Sequence, residues 1–147
     1  MKQIDCSHMY LPFLCKALNL TPSATAQCIV CTDDGKPIAG VVYDGYNVSS
    51  VSAHIWLDAE RVPTREWYAA IFDNPFNRLG VKKIIGQINS NNDEAIRLDK
   101  HFGFVEEARI TDYSEDGDLV IYTMTKDQCR VLNSPLWARA FTKLRIA

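Results

Sequence analysis

The stretch that decides the fold runs from Gly80 to Phe104 and reads GVKKIIGQINSNNDEAIRLDKHFGF. Its first part, Val81–Ile88, is rich in apolar and β-branched residues and predicts a strand, and the polar run after it predicts a turn. Asn92 or Asp93 can cap a helix, because a short side-chain oxygen accepts the free N–H groups of its first turn. Gly103 stands where that helix should end, since a helix end often needs a left-handed residue.

Five elements precede this segment. Apolar residues recur at helical spacing in the first and last, whereas the middle three are short apolar or alternating runs typical of strands. The predicted order is helix Met9–Leu20, strands Ala26–Cys31, Ile38–Tyr43 and Val51–Asp58, and helix Thr64–Asp73. Asp34-Gly35 and Asp44-Gly45 are typical hairpin turns. Pro75 should end or kink the last helix, because proline disfavours helical geometry in the residue before it.

Two strands and a tail follow the deciding segment. The strands Val105–Thr111 and Leu119–Thr125 are joined by an Asp116-Gly117 turn, and residues 133–147 have the pattern of a helical tail. No repeat, linker or low-complexity tract interrupts the chain, so we expect one domain spanning residues 1–147. Strands and helices in this order predict an α+β protein with a mixed sheet and helices on its faces.

Composition limits the functions open to the chain. Its 16 basic and 18 acidic side chains give a net charge of −2, which argues against a protein that holds nucleic acid by phosphate neutralisation alone. We expect no signal peptide, because residues 1–8 lack a sustained apolar core. We also expect no membrane span, because no run of about 18 apolar residues occurs.

The cysteines indicate a reducing compartment, and we therefore expect a cytoplasmic protein. An odd, scattered set does not suit a disulfide framework. Cys28 and Cys31 have the spacing of a metal or redox pair, but residues three apart on a strand point to opposite faces. No second Cys or His pair stands at ligand spacing, so we expect buried structural thiols and no metal.

Five residues of the deciding segment carry a family resemblance: Asn92, Ala95, Leu98, Gly103 and Phe104. They resemble the N-x-x-A…L-G-F segment of the GNAT N-acetyltransferases, and a weaker resemblance extends over residues 38–124. The resemblance implies the GNAT fold, a mixed, mostly antiparallel twisted sheet with helices on both faces. It also implies acetyl-coenzyme A (acetyl-CoA) as co-substrate, with this segment forming one wall of its site.

The resemblance further implies where the pyrophosphate of acetyl-CoA binds. Helix starts hold such anions on free backbone N–H groups, and the family pattern Arg/Gln-x-x-Gly-x-Gly/Ala begins here at Arg61. Thr64 stands at the position of the central glycine, and its side chain hinders the close approach of a phosphate. Glu66 occupies the last position of the pattern. A similar Glu occurs in the branch resembling ribosomal-protein N-terminal acetyltransferases. Arg61 and Arg65 can compensate through charge-assisted hydrogen bonds; the alternative is an ordinary helix start with solvated arginines.

The complete cofactor-binding set implied by the resemblance is Trp56, Leu57, Arg61, Val62, Thr64, Arg65, Glu66, Asn89, Asn92 and Ala95.

Three residues are candidates for proton transfer. Acetyl transfer needs a neutral amine, so a general base is useful, and His54 has a suitable unperturbed pKa. Glu60, just after the same strand, is the second candidate. Asp99 stands where many family members carry a tyrosine that protonates the departing thiolate. A carboxyl group can do this only if burial raises its pKa; otherwise Asp99 is a solvated helix residue, as His54 can be a structural histidine.

These features predict direct transfer of acetyl from acetyl-CoA to a primary amine, with a backbone N–H of residues 52–58 stabilising the oxyanion. The rival is a binding or virion-associated protein with a degenerate cofactor site, favoured by the missing glycine and tyrosine. The acceptor stays open among protein, small-molecule and nucleobase amines, and so does a homodimer. Stretches such as Asn74–Val81 and Asp116–Asp118 resemble small GNAT-like proteins of tailed phages, which suggests a phage-encoded protein in the host cytoplasm.

Overall fold

The chain folds around one sheet, and the computed structural model describes residues 1–21, 23–137 and 139–140. Its strands and α-helices, in chain order, are β1 (Lys2–Asp5), α1 (Leu11–Ala17), β2 (Gln27–Asp33), β3 (Lys36–Asp44), β4 (Ser50–Leu57), α2 (Arg65–Asp73), β5 (Lys83–Asn89), α3 (Asp93–Phe102), β6 (Val105–Ser114), β7 (Gly117–Met124) and α4 (Arg130–Asn133). The seven strands lie in the order β1-β2-β3-β4-β5-β7-β6. Neighbouring strands are antiparallel except for the parallel pair β4–β5.

Both faces of this sheet are covered by helices. Leu14 of α1 packs with Val30 and Val42 on one face. On the other face, Trp67 of α2 and Phe102 of α3 belong to the larger core. The alternation of side chains along each strand separates the two cores. The predicted α+β class, with a mixed and mostly antiparallel sheet between helices, is confirmed.

The structure has the predicted hairpin turn at Asp34-Gly35 and places Cys28 and Cys31 on opposite faces of the sheet, as predicted. Asp34 and Gly35 both have positive φ, of 50° and 83°, and join β2 to β3 as a two-residue turn of the type that matches strand twist. Cys28 packs in the α1-side core and Cys31 in the other core, so the pair is split between faces. All five cysteines are free, and only Cys6 is exposed.

The first helix and the first strand differ from the prediction. The first helix is shorter than 9–20: a 3-10 turn at His8–Tyr10 precedes α1, and the chain leaves helical geometry at Asn19, whose φ is 54°. Strand β1 was not predicted, because four residues at a sheet edge carry almost no periodicity and pair only with β2.

The predicted helical tail begins differently and lies largely outside the described residues. Helix α4 precedes it, and a 3-10 turn occupies Pro135–Trp137. Residues 141–147 lie outside the described part of the chain. Among the described helices, none is both long and apolar enough to cross a membrane.

Pro75 does not end the helical geometry. Instead, the turn that contains it is wider than an α-helical turn. Helix α2 continues into a π-helical turn, Asn74–Arg78, closed by a hydrogen bond from Leu79 N to Asn74 O. Proline has no N–H to donate to the carbonyl of Ile71, four residues earlier. The Tyr43 hydroxyl donates to that carbonyl instead, from the neighbouring strand β3. The wide turn is therefore stabilised by a tertiary contact that the sequence pattern does not reveal.

Gly103 provides a test of how α3 ends. Its φ is 113°, as predicted for a left-handed helix end, and a Cβ there would lie 2.0 Å from the backbone oxygen of Gln128. Gly103→Ala should lower the free energy of unfolding by at least about 3 kcal/mol, from backbone strain and the clash together. Urea unfolding followed by circular dichroism measures the loss.

Gly80 is the matched control, because its φ is also positive, at 70°, but a Cβ there would meet nothing within 4 Å. Gly80→Ala should cost only about 1–2 kcal/mol, from strain alone. Equal losses for the two variants would contradict the proposed contact of Gly103 with the Gln128 backbone.

Candidate active site

A cleft opens where β4 and β5 part. The two strands pair only from Ser50–Ser52 to Lys83–Ile85. Beyond these pairs β4 follows β3 alone, and a cleft of about 640 Å3 separates its end from helix α3. The lining residues come from two stretches, one on each wall: Ile55, Trp56, Leu57, Asp58 and Ala59, and Asn92, Glu94, Ala95, Arg97, Leu98 and His101.

Helix α3 is fixed at its start by the turn before it. Asn92 caps the helix, as predicted, with its side-chain oxygen accepting from Ala95 N at 3.2 Å. The Ser90 hydroxyl accepts from Asp118 N at 2.9 Å. Asn89 donates to the Ser114 hydroxyl at 3.0 Å. The β6–β7 turn thus holds the α3 wall of the cleft in place.

Side chains of β1 and β2 contact the predicted pyrophosphate loop. Arg61 forms an ion pair with Asp33 of β2, with 3.6 Å between Nη1 and Oδ2, and Lys2 donates to the Val62 carbonyl at 2.8 Å. The Thr64 hydroxyl caps α2 by accepting from Trp67 N at 3.2 Å. One first-turn N–H is therefore used within the protein.

The remaining two residues of the predicted loop set begin helix α2. Arg65 is its first residue and is exposed, whereas Glu66 is half-buried. The cleft itself is not lined by the predicted loop residues Arg61, Val62, Thr64, Arg65 and Glu66.

His54 lies on the α1 face of the sheet. It pairs across strands with Val42, and Trp56 on the same face contacts Phe13 of α1 edge-on, with 5.1 Å between ring centroids. Burial lowers the pKa of His54, and the Asp44 carboxylate opposes this shift in part. Its imidazole is therefore neutral at neutral pH. Glu60 is exposed in the loop beyond the strand.

Asp99 is buried, so its interpretation as a solvated helix residue is wrong. Its side chain is 8% exposed and lies on the sheet side of α3, where a Cβ at Gly86 would come 3.1 Å from its Oδ2. Glycine at position 86 lets the carboxyl group approach β5 this closely. Burial raises the pKa of Asp99 to about 7. Near neutral pH a large fraction of this group carries a proton.

The structure brings together part of the predicted set. Trp56, Leu57, Asn92 and Ala95 line one cleft. Asn89 is engaged in the turn, and His54 and Asp99 lie on opposite faces of the sheet beside it.

Sequence reasoning missed several residues of the α3 wall. Glu94, Arg97 and His101 line the cleft at helical spacing with Leu98, which the resemblance included in its segment without assigning it to the binding set. Counted from Glu94, these side chains stand at i, i+3, i+4 and i+7, and this spacing on one helical face is the signal that finds them. Gly86 was missed as well, although a glycine inside a strand often marks a close approach.

Comparison with known proteins shows similarity in structure and not in sequence. No family model and no curated protein matches the sequence. Mutant forms of the spermidine/spermine N-acetyltransferase SpeG from Vibrio cholerae match with a TM-score of 0.71 at 17% identity, over 92% of this chain and 99% of that chain. A complex of the Vibrio cholerae enzyme with CoA and spermine gives 0.67 at 16% identity, over 86% and 96%. Its dodecameric form gives 0.69 at 16% identity, over 91% and 98%.

At these identities the comparison establishes the fold. This chain has the fold of the spermidine N-acetyltransferases, which are GNAT proteins, as the resemblance of residues 92–104 implied.

Buried Asp99 should make stability depend on pH. The folded state binds its proton more tightly than the unfolded chain, whose carboxyl has a pKa near 3.8. The contribution to stability is therefore fully present below pH 3.8 and is lost as the pH rises to about 7. Asp99→Asn cannot ionise and should remove this slope, which urea unfolding at about pH 4.5 and about pH 7.5 measures.

Asp116→Asn is the control, because Asp116 is exposed in the β6–β7 turn. It should keep the pH dependence of the unmodified protein. An unchanged slope in Asp99→Asn would show that Asp99 does not titrate in this range.

Proposed function

We propose that this protein transfers acetyl from acetyl-CoA to a primary amine by direct attack. The observation that carries the proposal is the cleft between the end of β4 and α3, at the point where the parallel pair β4–β5 separates. The similarity in fold to enzymes that acetylate spermidine supports it.

The cleft fits an extended ligand with amide groups. Its volume of about 640 Å3 lies in the usual range for ligand sites. Leu57, Ala95 and Leu98 offer apolar contacts, and Asn92 and Arg97 offer polar ones. Acetyl-CoA would supply the activated thioester, and β4 would supply backbone N–H groups to the pantetheine arm and the thioester oxygen.

Arginines are the proposed partners of the pyrophosphate. Arg65 begins α2 and is exposed, and Arg97 lines the cleft from α3. Arg61 can contribute after exchanging its contact with Asp33 for a phosphate. The dipole at the start of α2 favours an anion there, although Thr64 already caps the N–H of Trp67.

Proton transfers are assigned to half-buried His54 and buried Asp99. Neutral His54 accepts the proton of the acceptor amine, directly or through water, with Glu60 as the alternative base. The amine nitrogen bonds to the thioester carbon and the carbon–sulfur bond breaks. Protonated Asp99 is the proposed donor to the departing thiolate, acting from the α3 side of the sheet.

The second candidate is a GNAT-fold binding protein without catalysis. Two observations favour it: Thr64 fills the glycine position and uses one N–H, and Arg61 is already paired with Asp33. Both would weaken pyrophosphate binding, so the affinity for acetyl-CoA decides between the enzyme and the binding protein.

The acceptor is proposed to be a small cationic amine, with polyamines as the first compounds to test. Carboxylates of Asp58 and Glu94 line the cleft and would attract a positive charge. The Vibrio cholerae enzymes of the same fold act on spermidine. Action in the cytoplasm, a phage origin and a homodimer remain predictions.

Acetyl-CoA should bind and raise the melting temperature, since a ligand that binds only the folded state stabilises it. Arg65→Ala and Arg97→Ala should each weaken binding by about 1–3 kcal/mol, by removing a charge-assisted hydrogen bond. Isothermal titration calorimetry measures both effects.

Arg109→Ala is the matched control. Arg109 pairs with Glu106 and Asp118 on the β6–β7 hairpin and does not line the cleft. It should leave the affinity for acetyl-CoA unchanged. No thermal shift at millimolar acetyl-CoA would favour the binding protein over the enzyme.

His54→Ala should lower kcat by about 10²–10⁴-fold if His54 is the base. The rate of the unmodified enzyme should rise with pH through an inflection below the ordinary histidine value of 6.5, because burial lowers the pKa. Spermidine acetylation, read as free thiol release, is the first assay.

Asp58→Asn and Glu60→Gln test the neighbouring carboxylates in the same assay. Full activity of His54→Ala together with loss in Glu60→Gln would make the carboxylate the base. If all three variants keep full activity, the amine loses its proton to water and the site acts by positioning.

A further inference from the structure

Asp44 lies beside the candidate base His54 on the α1 face of the sheet. Strand β3 ends at Asp44, which is directly opposite Ser52 of β4, and the next pair on that face is Val42 with His54. Val42 packs in the α1-side core, and side chains two residues apart on a strand share a face. Asp44 and His54 are therefore diagonal neighbours, and residues in this relation are about 7–8 Å apart, within reach of aromatic side chains.

Hydrogen bonds hold the Asp44 carboxylate without neutralising it. Its Oδ1 accepts from Ser23 Oγ at 2.7 Å and from Gly45 N at 2.8 Å. Ser23 belongs to the segment that connects α1 to β2, and the same segment supplies Ala26 to the α1-side core, in agreement with the strand alternation. Both donors are uncharged, and no basic side chain among the described residues forms an ion pair with Asp44.

Asp44 is the charged group that acts on His54. The other charged groups on the elements around His54 are exposed, at the far end of a strand, or already paired: Lys16 of α1, Lys36 of β3, Asp58 just after β4, and Lys83 of β5 with its partner Glu107. Burial lowers the pKa of His54, and the Asp44 carboxylate raises it in part.

We propose that Asp44 is a positioning residue for His54 and stabilises the imidazolium that forms when His54 takes the proton of the acceptor amine. The inference rests on the proposed function, in which His54 is the base. The proton moves from the amine nitrogen to a ring nitrogen, and the positive charge appears beside a carboxylate that is half-buried and is therefore less screened than an exposed one. Burial alone would make His54 a weaker base, and Asp44 restores part of its basicity.

Titration of the histidine ring protons, followed by NMR, tests this contact without any substrate. Asp44→Asn keeps an acceptor oxygen for both hydrogen bonds but removes the charge. It should lower the titration midpoint of His54 by about 0.5–1 pH unit, as expected for the loss of one charge at this separation in a partly solvated site. His54→Ala assigns the His54 signal, and His8 and His101 are internal references.

Ser23→Ala is the matched control, because it removes a hydrogen bond to Asp44 but no charge. It should leave the midpoint of His54 where it is in the unmodified protein. A purely structural role of Asp44 predicts instead that both variants move the midpoint.

The spermidine assay then tests the role of Asp44 in catalysis. In Asp44→Asn the inflection of the pH–rate profile should move to lower pH together with the NMR midpoint, because the weaker base loses its proton more readily. Above the inflection, kcat should fall about two- to threefold, following the lower basicity of the imidazole. The KM for acetyl-CoA should stay unchanged.

Three results would each overturn the inference: a His54 midpoint that stays the same in Asp44→Asn, a midpoint that falls as far in Ser23→Ala, or a pH–rate inflection that does not follow the midpoint. Absence of acetylation by the unmodified protein contradicts the proposed function instead. In that case a midpoint that falls only in Asp44→Asn still supports the charge contact between Asp44 and His54.

Discussion

The parallel pairing of β4 with β5 ends after three residue pairs, and the cleft exists because of this limit. Beyond Ser52 and Ile85 the two strands diverge, so the backbone groups of β4 on that side have no ladder partner. Buried backbone groups without a partner cost free energy unless water or a ligand satisfies them. A wall of such groups is suited to a ligand that carries amide carbonyls and N–H groups along its length.

The opposite wall depends on contacts at both ends of α3. At its start, the turn before the helix is bonded to the β6–β7 turn through Ser90 and Asp118. Gly117 permits this approach, because a Cβ there would lie 2.4 Å from the Ser90 hydroxyl. At its end, Gly103 packs against the backbone of Gln128. Strand β6 is exposed along its whole length, yet the end of its hairpin contacts the turn before α3.

Contacts between near neighbours in sequence were predictable. The Asn92 cap, the left-handed Gly103 and the Asp34-Gly35 turn each involve residues within one turn of one another. These signals, together with the order of strands and helices, were enough for the fold class and for part of the α3 wall, namely Asn92 and Ala95. Strand β1 was not predictable in this way, because its short sequence forms a strand only through pairing with β2.

The candidate site shows the same division. The Arg61–Asp33 ion pair joins two residues that are far apart in the sequence. The burial of Asp99 likewise depends on a strand outside its own helix. Periodicity alone placed Asp99 on a helix but not on its sheet-facing side. Only the combination of a helical aspartate with a glycine inside the facing strand, Gly86, points to a carboxyl group that is packed against a sheet.

Burial acts on His54 and Asp99 in the same sense, although the two lie on opposite faces of the sheet. It favours the neutral form of each, so it lowers the pKa of the imidazole and raises that of the carboxyl group. A neutral imidazole can accept a proton on the α1 side while a protonated carboxyl group donates one on the α3 side. Both neutral forms predominate together above the lowered pKa of His54 and below the pKa of Asp99, which burial raises to about 7. The pair therefore limits the proposed reaction at both ends of the pH range, with protonation of His54 at low pH and ionisation of Asp99 at high pH.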